Sequence, residues 1–276
     1  MKKLYGVLGN PIEHSLSPLI HNDAFKRNGI EGDYLPFLVE EDALEKAVNG
    51  LKAIGAGGFN ITVPFKESVI PYMDALDPFA KEVGAVNTAV IKDGVITGYN
   101  TDGPGFVKSL APLIDYQFSG KKVLVIGGGG AARGIYCAMA KTEAGRVDIA
   151  NRTLSAAHKI VSDCHNGKPS DVLSLADAEK SLSKYDIIIQ TTSVGLSSLD
   201  ESPISLLGIK EKTVVCDIIY NPLKTKFLRE AEDNGAIIQT GVDMFVHQAA
   251  LAFELWTGIS PDCERMRELV LEKLGG

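Results

Sequence analysis

Cysteine is scarce and badly spaced for cross-linking: four residues in 276, with no C-x-x-C pair. That excludes a disulfide framework and a zinc pattern. Cys137, Cys164, Cys216 and Cys263 read as scattered thiols of a reducing cytosol. Positive charge is also short, with 28 Lys and Arg against 35 Asp and Glu and a net charge of −7. No basic footprint for nucleic acid exists, although a small anionic substrate needs only a local cluster of donors. Long apolar runs are missing too. Residues 4–8 follow Met1-Lys2-Lys3 in the manner of a signal start but stop at Gly9-Asn10-Pro11. No run reaches membrane-spanning length, so the expectation is a cytoplasmic protein with no membrane partner. No ligand cluster at useful spacing supports a metal, and His247 reads as packing or surface.

What is present is ordinary globular composition, 45% hydrophobic and 23% charged, at a length that suits one large domain or two medium ones. Through residue 99 the chain alternates short strands, at 4–8, 34–39, 57–63, 85–91 and 95–99, with helices at 17–28 and 41–53. Ser17-Pro18 has the form of an N-cap followed by proline at the first helical position. Asp93-Gly94 marks a hairpin turn between the last two strands. From Gly120 the texture changes to fully apolar strands, at 123–126 after two lysines, 147–150, 186–190, 213–218 and 236–239, with helical segments between several of them. Such strands imply a parallel sheet covered on both faces. Two closing helices follow residue 243, separated by Thr257-Gly258-Ile259-Ser260-Pro261, with Ser260 or Asp262 as cap of the second.

Gly127-x-Gly129-x-x-Ala132 follows a buried strand and opens a helix predicted over 133–142, the context that a dinucleotide fingerprint requires. The first glycine allows the tight turn and the second lets backbone approach pyrophosphate. The small third residue permits close helix–strand packing, and the helix N-terminus supplies N–H groups for phosphate. An NAD site generally carries an acidic residue about 20 residues on, at the end of the next strand. This chain has Asn151-Arg152-Thr153 there, a guanidinium and a hydroxyl suited to a 2′-phosphate, so the cofactor expected is NADP(H).

The strand Phe59-Asn60-Ile61-Thr62-Val63-Pro64-Phe65-Lys66 runs into a proline and places Asn60, Thr62 and Lys66 so that they can point into one pocket, with Asn60 and Pro64 shaping the turn. With Gly9-Asn10-Pro11-Ile12-Glu13-His14-Ser15-Leu16-Ser17-Pro18, Gly84-Ala85-Val86-Asn87-Thr88, Asn100-Thr101-Asp102-Gly103, Asp217-Ile218-Ile219-Tyr220-Asn221-Pro222-Leu223 and Gln248-Ala249-Ala250, the order and spacing of motifs resemble the shikimate dehydrogenase family over nearly the whole chain. The resemblance implies two α/β domains. Residues 1–104 would form an N-terminal substrate-binding domain, to which helices 243–276 return, and residues 105–242 a Rossmann-type NADP domain. A ligand cleft between them would close to exclude water.

The implied reaction is the NADPH-dependent, reversible reduction of 3-dehydroshikimate to shikimate, on the route to aromatic amino acids. Lys66 and Asp102 match the family's catalytic pair, and Ser15, Ser17, Thr62, Lys66, Asn87, Asp102, Tyr220 and Gln248 its substrate contacts. Gly127, Gly128, Gly129, Gly130, Ala131, Asn151, Arg152, Thr153, Ile218 and Gly241 match its cofactor contacts. Many NADP-using members carry a second basic residue three or four positions beyond the arginine; here Ser155-Ala156-Ala157 stands there, which weakens the expected preference for NADP. A homodimer is the assembly considered. The rivals are a dual quinate/shikimate dehydrogenase using NAD or NADP, and a non-catalytic NADP-binding sensor on the same fold.

Overall fold

Short apolar strands separated by amphipathic helices build two α/β units in a computed structural model that describes residues 2–164 and 167–275. One unit comprises the chain through Thr101 together with Gln248–Lys273; the other comprises Asp102–His247.

The first unit holds a mixed six-stranded sheet. Its strands are β1 (Lys3–Gly9), β2 (Gly32–Leu38), β3 (Gly58–Ile61), β4 (Ala75–Leu76), β5 (Thr88–Lys92) and β6 (Val95–Tyr99), in the spatial order β2-β1-β3-β5-β6-β4. β1 runs parallel to both β2 and β3, whereas β5 is antiparallel to β3 and β6. The expected hairpin forms: Asp93 and Gly94 both take positive φ, 52° and 76°, the turn whose twist matches the flanking strands. The expected helix over 41–53 starts as a 3-10 turn, Glu41–Ala43, and continues as the α-helix Leu44–Ala53, burying Leu44, Val48 and Leu51. These join Leu8, Phe59, Ile61, Phe65 and Val69 in one apolar core. Aromatic rings gather separately: Tyr5 stacks on Phe25, Phe25 meets Phe253, and the Trp256 indole N–H donates to Ala89 O at 3.0 Å.

The second unit is a wholly parallel sheet. Its strands are β7 (Lys122–Ile126), β8 (Arg146–Ala150), β9 (Val172–Leu173), β10 (Ile187–Gln190), β11 (Val214–Asp217) and β12 (Ile237–Gln239). The order β12-β11-β10-β7-β8-β9 is the doubly wound arrangement, with its topological switch between β7 and β10. The strand ends of β7, β8, β10 and β11 therefore carry the loops that can meet a dinucleotide.

Several features depart from the sequence expectations. Leu16, not Ser17, is the N-cap of helix Ser17–Arg27, because the helix begins at Ser17 itself. The helix after the glycines spans Gly130–Lys141, three residues earlier than predicted. Helix Pro78–Val83 is an addition, although its start is legible: Asp77 accepts from the Phe79 and Ala80 N–H groups and proline follows, the usual helix-start chemistry. Two of the four scattered thiols are not scattered. Cys137 and Cys164 are joined as a disulfide, Cα to Cα 5.2 Å, since helix Gly130–Lys141 and the end of helix Leu154–Asp163 bring positions 27 residues apart together. Cys216 and Cys263 take no part in a disulfide. Asp262 caps the last helix, accepting from the Arg265 N–H at 3.0 Å. No described helix is long and apolar enough to cross a membrane.

His21 is fully buried among the aromatic rings, stacked on Tyr34 at 4.4 Å, and neither ring nitrogen has a hydrogen-bond partner. Burial pushes its pKa down to about 3. An unfolded chain takes up that proton near pH 6.5 whereas the folded one does not, so the contribution is intact above pH 6.5 and shrinks as pH falls toward 3. Each pH unit in that window costs about 1.4 kcal/mol of stability. Urea titrations of wild type and His21→Phe between pH 7 and pH 4 should show the variant losing correspondingly less stability on acidification. Parallel pH curves would contradict this account.

Candidate active site

In the first unit, the parallel pairing of β1 with β3 brings two turns out side by side. Asn10 N–H donates to Val63 O at 3.1 Å and Thr62 N–H to Leu8 O at 2.9 Å. A Cβ at Gly9 would lie 2.4 Å from Thr62 Cγ2, so only glycine permits this approach. Both turns contain a cis X-Pro bond, Asn10-Pro11 and Val63-Pro64. Ser15 follows the first turn half-buried, and its Oγ accepts the Ser17 N–H at 3.3 Å. Ser15 thereby covers an N–H of the helix start, the task expected of Ser17. Lys66 follows the second turn, half-buried, and its carbonyl accepts the Val86 N–H at 2.7 Å. That bond pins the lysine's turn to the segment that ends in Asn87 and Thr88.

Asn60 does not shape a turn; it sits inside β3, buried, as the hub of a polar network. Its Oδ1 accepts from the Tyr34 hydroxyl at 2.6 Å, while its Nδ2 donates to Asn87 O at 3.1 Å and Thr88 Oγ1 at 2.9 Å. Asn87 Oδ1 accepts the Thr101 N–H at 2.7 Å and its Nδ2 donates to Thr101 Oγ1 at 2.9 Å. Asn100 donates to Ala85 O at 3.1 Å. The network holds the backbone immediately before Asp102, which is buried and opens helix Asp102–Leu110. Sequence reasoning does not single out Tyr34, Thr88 or Thr101 as site residues. A tyrosine in an apolar strand reads as core, and nothing local shows that its hydroxyl meets a residue 26 positions away.

In the second unit, Gly127 takes φ 133°, and a Cβ there would strike Thr191 Oγ1 at 2.3 Å. Gly128 packs against the Asn151 amide, whose Nδ2 donates to Thr153 O at 3.0 Å. Gly129 faces open space at the N-cap of helix Gly130–Lys141, leaving room for a phosphate at the N–H groups of Gly130 and Ala131. Ala132 is fully buried. Arg152 and Thr153 are exposed at the start of helix Leu154–Asp163, and Thr153 makes no side-chain cap bond. Arg133, by contrast, is buried and bonded to Asp163 at 2.7 Å, so it is committed elsewhere. The loop after β11 is fixed by Asp217, which accepts from Ile219 N–H at 2.9 Å and Thr225 Oγ1 at 2.6 Å. Burial raises the Asp217 pKa to about 6 against the lowering effect of these two bonds. Ile218 is half-buried, Gly241 N–H donates to Ile219 O at 3.1 Å, and Tyr220 packs its ring against Phe245 at 4.7 Å.

Of the expected substrate residues, Ser15, Ser17, Thr62, Lys66, Asn87 and Gln248 belong to the first unit, whereas Asp102 and Tyr220 belong to the second with all of the expected cofactor residues. His14 is an exposed turn residue, and no group of His, Cys, Asp or Glu among the described residues is arranged to hold a metal.

Fold and site thus define a two-unit α/β protein with a dinucleotide-binding Rossmann unit and a polar, network-built unit beside it in sequence. Residues 7–89 match the family model of the shikimate dehydrogenase substrate binding domain, 109–222 that of shikimate/quinate 5-dehydrogenase, and 241–271 the shikimate 5'-dehydrogenase C-terminal domain. The chain belongs to the shikimate dehydrogenase family. It is 50% identical, over 100% of both chains, to a shikimate dehydrogenase (NADP(+)) of Bacillus cereus. The structure is similar to that of the shikimate 5-dehydrogenase of Thermus thermophilus in complex with NADP(H) and shikimate, with TM-score 0.89, 34% identity and coverage of 98% and 99%. It is also similar to the Listeria monocytogenes enzyme in complex with shikimate and NAD, with TM-score 0.91, 33% identity and coverage of 98% and 96%.

With Arg133 bonded to Asp163, the expectation for a 2′-phosphate stays with the exposed Arg152. Arg152→Ala should raise KM for NADP about tenfold or more, the worth of a charge-assisted hydrogen bond, and leave KM for NAD nearly unchanged. Unaltered discrimination between the two cofactors in initial-rate assays would remove Arg152 from this role.

Proposed function

We infer that this chain catalyses the reversible NADPH-dependent reduction of 3-dehydroshikimate to shikimate, with Lys66 and Asp102 as the catalytic pair. The observation that carries the reading is the full-length match, at 50% identity, to a relative of that name in a chain whose Lys66 turn is bonded to the Asn87 segment. The residues present fit NADP: the glycine loop leaves open space at a helix N-terminus, and an exposed arginine and threonine stand where a 2′-phosphate would be read. When bound, NADPH supplies the hydride.

The chain's own residues do the rest. Ser15 and Ser17, at the start of helix Ser17–Arg27, donate to the substrate carboxylate with the helix dipole behind them, and Tyr220 adds a third donor. Neutral donors of this kind hold an anion without a dedicated arginine. Thr62, Asn87 and Gln248 bind the ring hydroxyls. As charge grows on the ketone oxygen, the Lys66 ammonium stabilises it and delivers the proton; in the reverse direction the amine removes it. Asp102 orients Lys66 and accepts from a neighbouring ring hydroxyl. The first unit is thus the substrate-binding domain and the second the NADP domain. We also propose a homodimer, supported by edge strand β2, which exposes Leu35 and Leu38. A single-chain mass by light scattering would exclude it.

Incubation with shikimate and NADP should generate NADPH absorbance, and quinate with either cofactor should turn over far more slowly. Lys66→Ala should lower kcat by about two orders of magnitude or more, the usual scale of general acid–base catalysis. Near-normal turnover in that variant would refute a central role for the lysine.

A further inference from the structure

We propose that Thr191 is a positioning residue for the dinucleotide, its hydroxyl fixing the peptide from which the glycine turn at 127–130 departs. The proposal rests on the assignment of that turn to NADP made above. β7 lies between β10 and β8, and its last residue, Ile126, is in register with Gln190 on one side and Ala150 on the other. The Ile126 carbonyl accepts twice from Thr191, from its N–H at 2.9 Å and from its Oγ1 at 2.7 Å. The N–H of the same peptide, that of Gly127, donates to Ala150 O at 2.9 Å. A peptide is planar, so bonds at both of its ends fix its whole plane. The turn therefore starts from a reference held by both neighbouring strands.

The same hydroxyl sits against the turn it anchors. Gly127 takes φ 133°, and Thr191 Oγ1 lies 2.3 Å from where a Cβ of that residue would stand. The backbone therefore runs directly past the hydroxyl, which gives its one proton to the carbonyl just before the turn. Thr191 is buried, and its own loop is braced by its neighbour. Gln190 is fully buried; its Nε2 donates to Thr192 O at 3.3 Å and Val194 O at 3.0 Å, and its Oε1 accepts the Thr192 N–H. The Gln190 carbonyl accepts the Ile218 N–H at 3.1 Å. The end of β10 thus holds both the glycine turn and the start of the loop that carries Ile218 and Tyr220. A turn ordered in advance loses less freedom when phosphates bind at the Gly130 and Ala131 N–H groups of the helix start.

Calorimetric titration of the chain with NADP, and with 2′-AMP, which carries the 2′-phosphate but no pyrophosphate, tests this. Thr191→Val keeps the shape and removes the proton; Thr191→Ser keeps the proton and removes the methyl. The valine variant should bind NADP about fivefold or more weakly, the loss of one oriented hydrogen bond, and 2′-AMP within about twofold of wild type. The serine variant should bind NADP within about twofold of wild type, whereas a packing role would make serine the more damaging change. In initial-rate assays KM for NADP should rise in the valine variant by the same factor, with kcat and KM for shikimate within about threefold. Thr191→Ala serves if the valine variant fails to fold, with the same weakening expected. Full NADP affinity in the valine variant, equal weakening in the serine variant, or an equal loss of 2′-AMP affinity would overturn the role of Thr191 alone. A wild-type chain that fails to bind NADP would overturn the cofactor assignment and this proposal with it. One that binds NADP without oxidising shikimate would overturn only the catalytic reading, and the calorimetric comparison would still decide the role of Thr191.

Discussion

A single buried amide organises the substrate unit. Asn60 lies on the strand between β1 and β5, where an unpaired polar group would cost about 1–3 kcal/mol, and every one of its principal hydrogen-bonding positions is met. Meeting them recruits Tyr34 from β2 and Thr88 with the Asn87 carbonyl from the start of β5. Asn87 in turn holds Thr101, the residue before Asp102. Because the amide has two donors and one acceptor group in fixed geometry, it imposes a direction on each bond, including the one that takes the Tyr34 phenol proton. A polar network satisfied in this way rigidifies its surroundings, and here the surroundings are the residues assigned to substrate.

The cofactor unit follows a different logic, set by which charged groups are already committed. Arg133, just after the glycine loop, is buried against Asp163, while Arg152, after the next strand, is exposed. Arg133 is held by a carboxylate, whereas the Arg152 guanidinium stands in the open beside Thr153. No basic residue stands at 155–157 to reinforce it; His158 and Lys159 are exposed further along the same helix. At the end of β11, Asp217 holds the loop carrying Ile218 and Tyr220 through one backbone and one hydroxyl bond, and it keeps a raised pKa because burial outweighs both. Its job there is to shape backbone rather than to present charge.

Much of this was legible in the chain itself. The longer strands follow from local periodicity, the hairpin from Asp93-Gly94, and the nucleotide loop from the glycines after an apolar strand, since all of these are set by residues a few positions apart; the two-residue strands β4 and β9 were not anticipated. The sequence also singles out Lys66, Asp102 and the serines as candidates, and an arginine in place of an acid after β8. Tertiary structure alone decided the partners. Asn60 reads as a turn former and is a hub. Ser17 reads as a cap and is the first helical residue, with Ser15 accepting its N–H. Cys137 and Cys164 read as unrelated thiols and are joined, one from within a helix and the other from the end of the next. In each case the deciding contact links residues far apart in sequence or depends on the direction of a hydrogen bond. Neither leaves a trace in composition or spacing, because a side chain's proton goes wherever the fold places an acceptor.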